Sequence, residues 1–133
     1  MNNLNISEAL NFILTLQKNS CCDNDNCMEG CTSPFLGPVT TVVCYNTRPI
    51  TLYSCNNGEL WSMPYEVNDV VGTSTVFRIE NVEGNCATFR VLAENPDTTS
   101  LNPYVATNSF FTMDCSCICA IRCLSDTYVE CVC

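Results

Sequence analysis

The stretch Ser74-Thr75-Val76-Phe77-Arg78-Ile79-Glu80-Asn81-Val82-Glu83-Gly84-Asn85-Cys86-Ala87-Thr88-Phe89-Arg90-Val91-Leu92 decides the fold class. Phe77 and Ile79 fall on one face of a first arm, and Ala87, Phe89 and Val91 on one face of a second, with charged and polar residues between them. Alternation of period two is the mark of a half-buried strand rather than a helix. Gly84 stands where the chain must turn. If Asn81 pairs with Asn85, the loop is Val82-Glu83-Gly84, and its last position takes the left-handed conformation that glycine adopts without steric cost. That register sets Phe77 opposite Phe89, Arg78 beside Thr88 and Val76 beside Arg90, with Glu80 diagonal to both arginines. A slip of one residue would bury the arginines.

Upstream, Thr40-Thr41-Val42-Val43-Cys44-Tyr45 and Ile50-Thr51-Leu52-Tyr53 are β-branched, strand-like runs, and Asn56-Asn57-Gly58 is a turn. Downstream, Asn95-Pro96-Asp97-Thr98-Thr99-Ser100 and Asn102-Pro103 form a loop before further strands from Tyr104 to Met113 and into the tail. Before residue 20 the period changes. Ile6, Ala9, Leu10, Ile13, Leu14 and Leu16 follow helical spacing, Asn5 and Glu8 fit an N-terminal cap, and Lys18 suits the negative helix end. The expected architecture is therefore mainly β: a single antiparallel sandwich or barrel-like domain with one N-terminal α-helix. It divides into a helix over 1–20, a cysteine-rich loop over 21–34, and a β-domain over 35–133 whose C-terminal strands are striped with cysteine.

The chain has 133 residues, 14 acidic against 5 basic, no histidine and 13 cysteines. A formal charge of −9 repels phosphate backbones and anionic lipid, so neither nucleic acid nor a membrane is an expected partner. No apolar run reaches the ~18 to 20 residues of a membrane helix. Without histidine, most hydrolytic mechanisms lose their proton carrier. The opening Met1-Asn2-Asn3-Leu4-Asn5 lacks a basic region and an apolar core, so a secretory signal is not expected. Dense cysteine, however, normally belongs to an oxidising compartment.

The cysteines therefore carry the functional question. In Cys115-Ser116-Cys117-Ile118-Cys119-Ala120-Ile121-Arg122-Cys123, an extended strand would put Cys115, Cys117 and Cys119 on one face, ~6.6 Å apart along the strand. That spacing is poor for pairing among themselves, so they and Cys123 are candidates for bridges to other strands or chains. Cys131-Val132-Cys133 repeats the stripe. An odd count leaves at least one cysteine without an internal partner. Cys21, Cys22, Cys27 and Cys31 in the loop, with Cys131 and Cys133, are the candidates for disulfides between subunits. Cys44 and Cys86, and on a plain packing reading Cys119, are flanked by apolar residues and expected to be buried thiols. A thiolate metal site is the rival reading: Cys27 and Cys31, and Cys119 and Cys123, are four apart, although no Cys-X2-Cys pair is present. A catalytic thiol lacks a base, only Arg122 being near. No phosphate loop is present, and no cofactor is expected.

Four phrases in order carry a resemblance. Ser33-Pro34-Phe35-Leu36-Gly37, then Asn46-Thr47-Arg48-Pro49-Ile50 with Leu52-Tyr53, then Phe77-Arg78-Ile79-Glu80 to Cys86-Ala87-Thr88-Phe89-Arg90-Val91-Leu92, then Cys117-Ile118-Cys119-Ala120-Ile121-Arg122-Cys123-Leu124 with Asp126-Thr127-Tyr128-Val129 resemble the CotY, CotZ and ExsY family of spore coat and exosporium proteins. The resemblance spans roughly residues 31 to 130. It implies a non-enzymatic structural protein that self-assembles into ordered, two-dimensional, hexagonal-type layers hardened by disulfides. Its partners would be copies of itself, as a closed hexamer and higher array, and other coat proteins. Synthesis in the mother-cell cytoplasm, deposition on the spore surface and later oxidation would reconcile the cysteines with the missing signal. The added Cys131 and Cys133 depart from the family pattern.

Overall fold

The computed structural model describes residues 5–20 and 45–132. The helix α1 spans Ile6–Lys18, and Asn5 caps it: its Oδ1 accepts the Glu8 amide at 2.8 Å. Leu10, Ile13 and Leu14 are buried as their spacing requires. Leu16 is not; it lies 40% exposed, and Gln17 takes the inward position instead. Gln17 is polar there because it has work to do: its Nε2 donates to the Ile79 carbonyl at 2.9 Å and its Oε1 accepts the Arg48 amide at 3.1 Å.

The strands are β1 Ile50–Ser54, β2 Met63–Val67, β3 Val70–Ser74, β4 Phe77–Glu83, β5 Cys86–Glu94, β6 Tyr104–Asp114 and β7 Ile118–Cys123. Five form an antiparallel sheet in the order β6-β5-β4-β1-β7, and β2 pairs with β3 in a separate ribbon. This is the mainly β fold with one N-terminal helix that the alternation predicts. The outermost strands β6 and β7 are consecutive in the chain, joined only by a 3-10 turn at Cys115–Cys117. The sheet must therefore curl until its two edges meet at that turn. The helix packs inside the curl against β4, β5 and β7.

The hairpin keeps its predicted faces but not its register. Glu83 pairs with Cys86, leaving Gly84-Asn85 as the turn with Gly84 at φ 60°, the two-residue form with glycine first. Phe77 pairs with Val91 and Ile79 with Phe89, while Arg78 stands directly opposite Arg90, contrary to expectation. The slip on the Phe77 side is an even number of residues, which preserves the faces: Phe77, Ile79, Ala87, Phe89 and Val91 are all at most 1% exposed. A bulge at Glu80 absorbs the odd residue nearer the turn. The rings of Phe77 and Phe89 meet Phe111 at 4.9 and 5.2 Å between centroids, making the aromatic centre of the core.

The opposed arginines are stable because each N–H finds an acceptor. Arg78 donates to Thr47 Oγ1 at 2.9 Å, the Asn46 carbonyl at 3.0 Å and Glu80 Oε2 at 2.8 Å. Arg90 donates to the same Glu80 oxygen at 3.1 Å and to the Thr107 carbonyl at 2.9 Å, with its guanidinium 4.4 Å from the centre of the Phe110 ring. Glu80 is diagonal to both, as its place in the hairpin predicts.

The β2–β3 ribbon is an element outside the expected strands. Its signal is Asn68-Asp69, both at positive φ (52° and 65°), between Tyr65-Glu66-Val67 and Val70-Val71. Met63 and Tyr65 pack on the core cluster and close its open side. The expected strand over Thr40–Tyr45 falls outside the described residues except for Tyr45, which is exposed and not in a strand.

Candidate functional site

The chemistry-bearing residues of this chain are its thiols, and the 3-10 turn between β6 and β7 gathers most of those described. Asp114 caps that turn by accepting the Ser116 amide at 2.9 Å, and hydrogen bonds to Ser116, with a further one from Asn85, hold its carboxyl below the usual range. The Cys115 amide donates to the Asn85 carbonyl at 2.8 Å, tying the turn to the β4–β5 hairpin. Ser7 Oγ donates to the Gly84 carbonyl at 3.1 Å, so the helix start reaches the same corner. Cys86, the first residue of β5, pairs with Asp114.

The expected single face of Cys115, Cys117 and Cys119 does not form. Cys115 is 4% exposed and joins the core, whereas Cys117 and Cys119 are exposed. The reason is local backbone geometry. Cys115–Cys117 is a 3-10 turn rather than a strand, and β7 bulges where Tyr53 pairs with Ala120 and Ser54 with Ile118, leaving Cys119 as the extra residue. The bulge turns Ile118 and Ile121 inward and leaves Cys119 and Ala120 outside together.

Cys119 is bonded to Cys55 across the sheet edge, with Cα atoms 4.7 Å apart. That corrects the packing reading of Cys119. Cys55 was not singled out in the sequence; its only signal was its place just past a predicted strand, before the Asn56-Asn57-Gly58 turn. Cys86, expected to be buried, is exposed and free, because the first residue of a strand after a tight turn lies at the sheet's rim whatever its neighbours. Cys117 and Cys123 are also exposed and free. Cys123 faces Ile50 at the other end of β7, near the Arg48–Asp126 ion pair of 2.7 Å. Cys131 is disulfide-bonded in this single chain, so the expected reach of its sulfur to a neighbouring subunit is not the arrangement found. Cys21, Cys22, Cys27, Cys31, Cys44 and Cys133 lie outside the described residues.

The four free thiols among the described residues differ in character. Burial pushes the Cys115 thiol up, and the nearby Asp114 carboxylate and Cys86 push it the same way, which disfavours its reactive thiolate form. Cys86 and Cys123 stand open to solvent at strand ends, and Cys117 in the 3-10 turn. Among the described residues no group of three or more Cys, Asp or Glu is placed to hold a metal ion. No helix among them is long and apolar enough to cross a membrane.

Residues 3–103 match the family described as spore coat protein Z. The chain belongs to that family. No curated protein and no solved structure matches it. Membership in the spore coat protein Z family makes the chain a structural component of the spore surface. The matched span contains Cys55 and Cys86 and ends before the 3-10 turn and β7.

Proposed function

We propose that this spore coat protein Z family member builds ordered, hexagonal-type protein layers of the coat or exosporium from cyclic hexamers, and that disulfides between subunits harden them. The observation that carries this reading is the set of three free, exposed thiols among the described residues, Cys86 and Cys123 at strand ends and Cys117 in the 3-10 turn between β6 and β7. Thiols held by a rigid frame bridge only where assembly brings a partner within reach, so oxidation records a geometry already reached by reversible contacts. Family membership supports the setting, and a chain made in the mother-cell cytoplasm would assemble reduced and oxidise once deposited. The protein acts with copies of itself and with other coat proteins and performs no catalysis on a substrate.

The test is expression of the full chain in a reducing cytosol followed by negative-stain electron microscopy with and without strong reductant. Regular sheets, tubes or rings that heat disperses only when reductant is present support the reading. The Cys86→Ser, Cys117→Ser, Cys123→Ser triple variant should form the same ordered contacts yet disperse on heating alone. A folded monomer that never orders, or a triple variant as heat-resistant as the parent, would sink it.

A further inference from the structure

We infer that Cys55, Cys117 and Cys119 form a thiol–disulfide exchange site, in which the free Cys117 thiol can replace Cys119 as the partner of Cys55. Three observations place the groups. The pairing of β1 with β7 ends at Ser54 and Ile118, and one residue beyond it the Cys55 amide, in a turn, donates to the carbonyl of Cys117, in the 3-10 turn, at 3.0 Å. A backbone hydrogen bond between two extended segments holds the bonded residues' Cα atoms roughly 5.5 Å apart, inside the range a disulfide accepts. The bulge at Cys119 brings that residue's Cα to 4.7 Å from the same Cys55. Cys55 therefore stands between two candidate partners, and all three residues are exposed.

The step balances without any outside oxidant. The Cys117 thiolate attacks Cys55 Sγ, the Cys55–Cys119 bond breaks, and Cys119 leaves as a thiolate that takes the proton Cys117 gave up. One disulfide and one thiol are present before and after. Cys117 and Cys119 are two apart on one segment and poorly placed to bond each other, so the exchange has two end states: the free thiol sits either on the 3-10 turn or on the β7 bulge. The substrate class of the site is a thiol, and an incoming thiol from a second copy can enter at Cys55 in the same way. The inference goes beyond the assembly reading and is tested within single molecules, so either can fail without the other.

The experiment uses the oxidised full chain at high dilution under argon. Samples are held at pH 8 or pH 4, quenched with acid, alkylated and analysed by tandem mass spectrometry. The expected result is a Cys55–Cys117 linkage that grows to a constant share at pH 8 and stays unchanged at pH 4, since the thiolate is the attacking species. Cys117→Ser should hold Cys55–Cys119 only, without change in time. Cys119→Ser, refolded in a glutathione redox buffer and checked by circular dichroism, should form Cys55–Cys117. A folded parent that keeps only Cys55–Cys119, a folded Cys119→Ser chain in which Cys55 and Cys117 are both alkylated, or transfer of Cys55 to Cys86 or Cys123 would each overturn the inference.

Discussion

Glu80 is the residue on which the outer face of the hairpin depends. Two guanidiniums placed directly opposite each other repel, and one carboxylate oxygen bridges them at 2.8 and 3.1 Å. Glu80→Gln keeps the shape and removes the charge, leaving two mostly buried cations without a counterion. Its cost should be about 3 kcal/mol, the lower end of the range for a broken buried pair because Glu80 is 18% exposed. Urea unfolding monitored by circular dichroism would show it, and a loss under 1 kcal/mol would mean water solvates the arginines after all. Cys115 gives a second prediction at this scale. Its raised thiol and burial should make it the slowest of the four free described thiols to react with iodoacetamide at pH 8, with Cys86 and Cys117 alkylated well before it. Tyr104 is likewise raised, by burial and then by Glu94. The folded state thus holds protons that the unfolded chain releases, so both groups stabilise below the ordinary thiol and phenol ranges and that share is lost as pH rises through and beyond them. Unfolding midpoints that climb between pH 8 and pH 10 would contradict this sign.

At the scale of elements, the β2–β3 ribbon relies on a glycine. Tyr65 pairs with Gly72 and lays its ring over it, so that a Cβ on Gly72 would meet the ring Cζ at 2.9 Å. Gly72→Ala should push the ring aside and cost about 1–2 kcal/mol through lost packing over the core. A thermal unfolding midpoint equal to the parent's would show that the ring swings away freely. The helix has a comparable hold through Gln17, whose side chain satisfies one carbonyl and one amide at once. Gln17→Leu matches the apolar stripe better yet should destabilise by about 2–3 kcal/mol, because two backbone groups lose their partner in a buried place. Much of this layer was legible in sequence. The cap at Asn5, strand β1, the Asn56-Asn57-Gly58 turn and the two faces of the hairpin follow from spacing alone. The register did not, because a three-residue and a two-residue turn both suit Gly84, and only the bulge at Glu80 reconciles the shorter turn with the buried faces.

For the whole molecule, the Cys55–Cys119 bond ties residues 64 apart in sequence, across the edge of a sheet that is already curled by its connections. Constraint of the unfolded chain by a loop of that size corresponds to about 4 kcal/mol. The Cys55→Ser, Cys119→Ser double variant should therefore remain folded, since both residues are exposed and lie outside the core cluster, but unfold at lower urea by about that amount. A variant that fails to fold would assign the disulfide a larger part than staple, and one with unchanged stability would mean that the reduced unfolded state is already compact there.

The sequence by itself determined the class of fold, the helix and its cap, the aromatic faces of the hairpin and the prominence of sulfur in the function, because each is written in local periodicity or composition. What only the tertiary structure decided is which sulfur is which. Cys115 is buried, Cys117 is free and Cys119 is bonded, although the three alternate identically in sequence. Their fates are set by a 3-10 turn where two sheet edges meet and by a bulge one residue wide. Burial and bonding depend on what long-range pairing brings opposite a side chain, and no spacing along the chain records that.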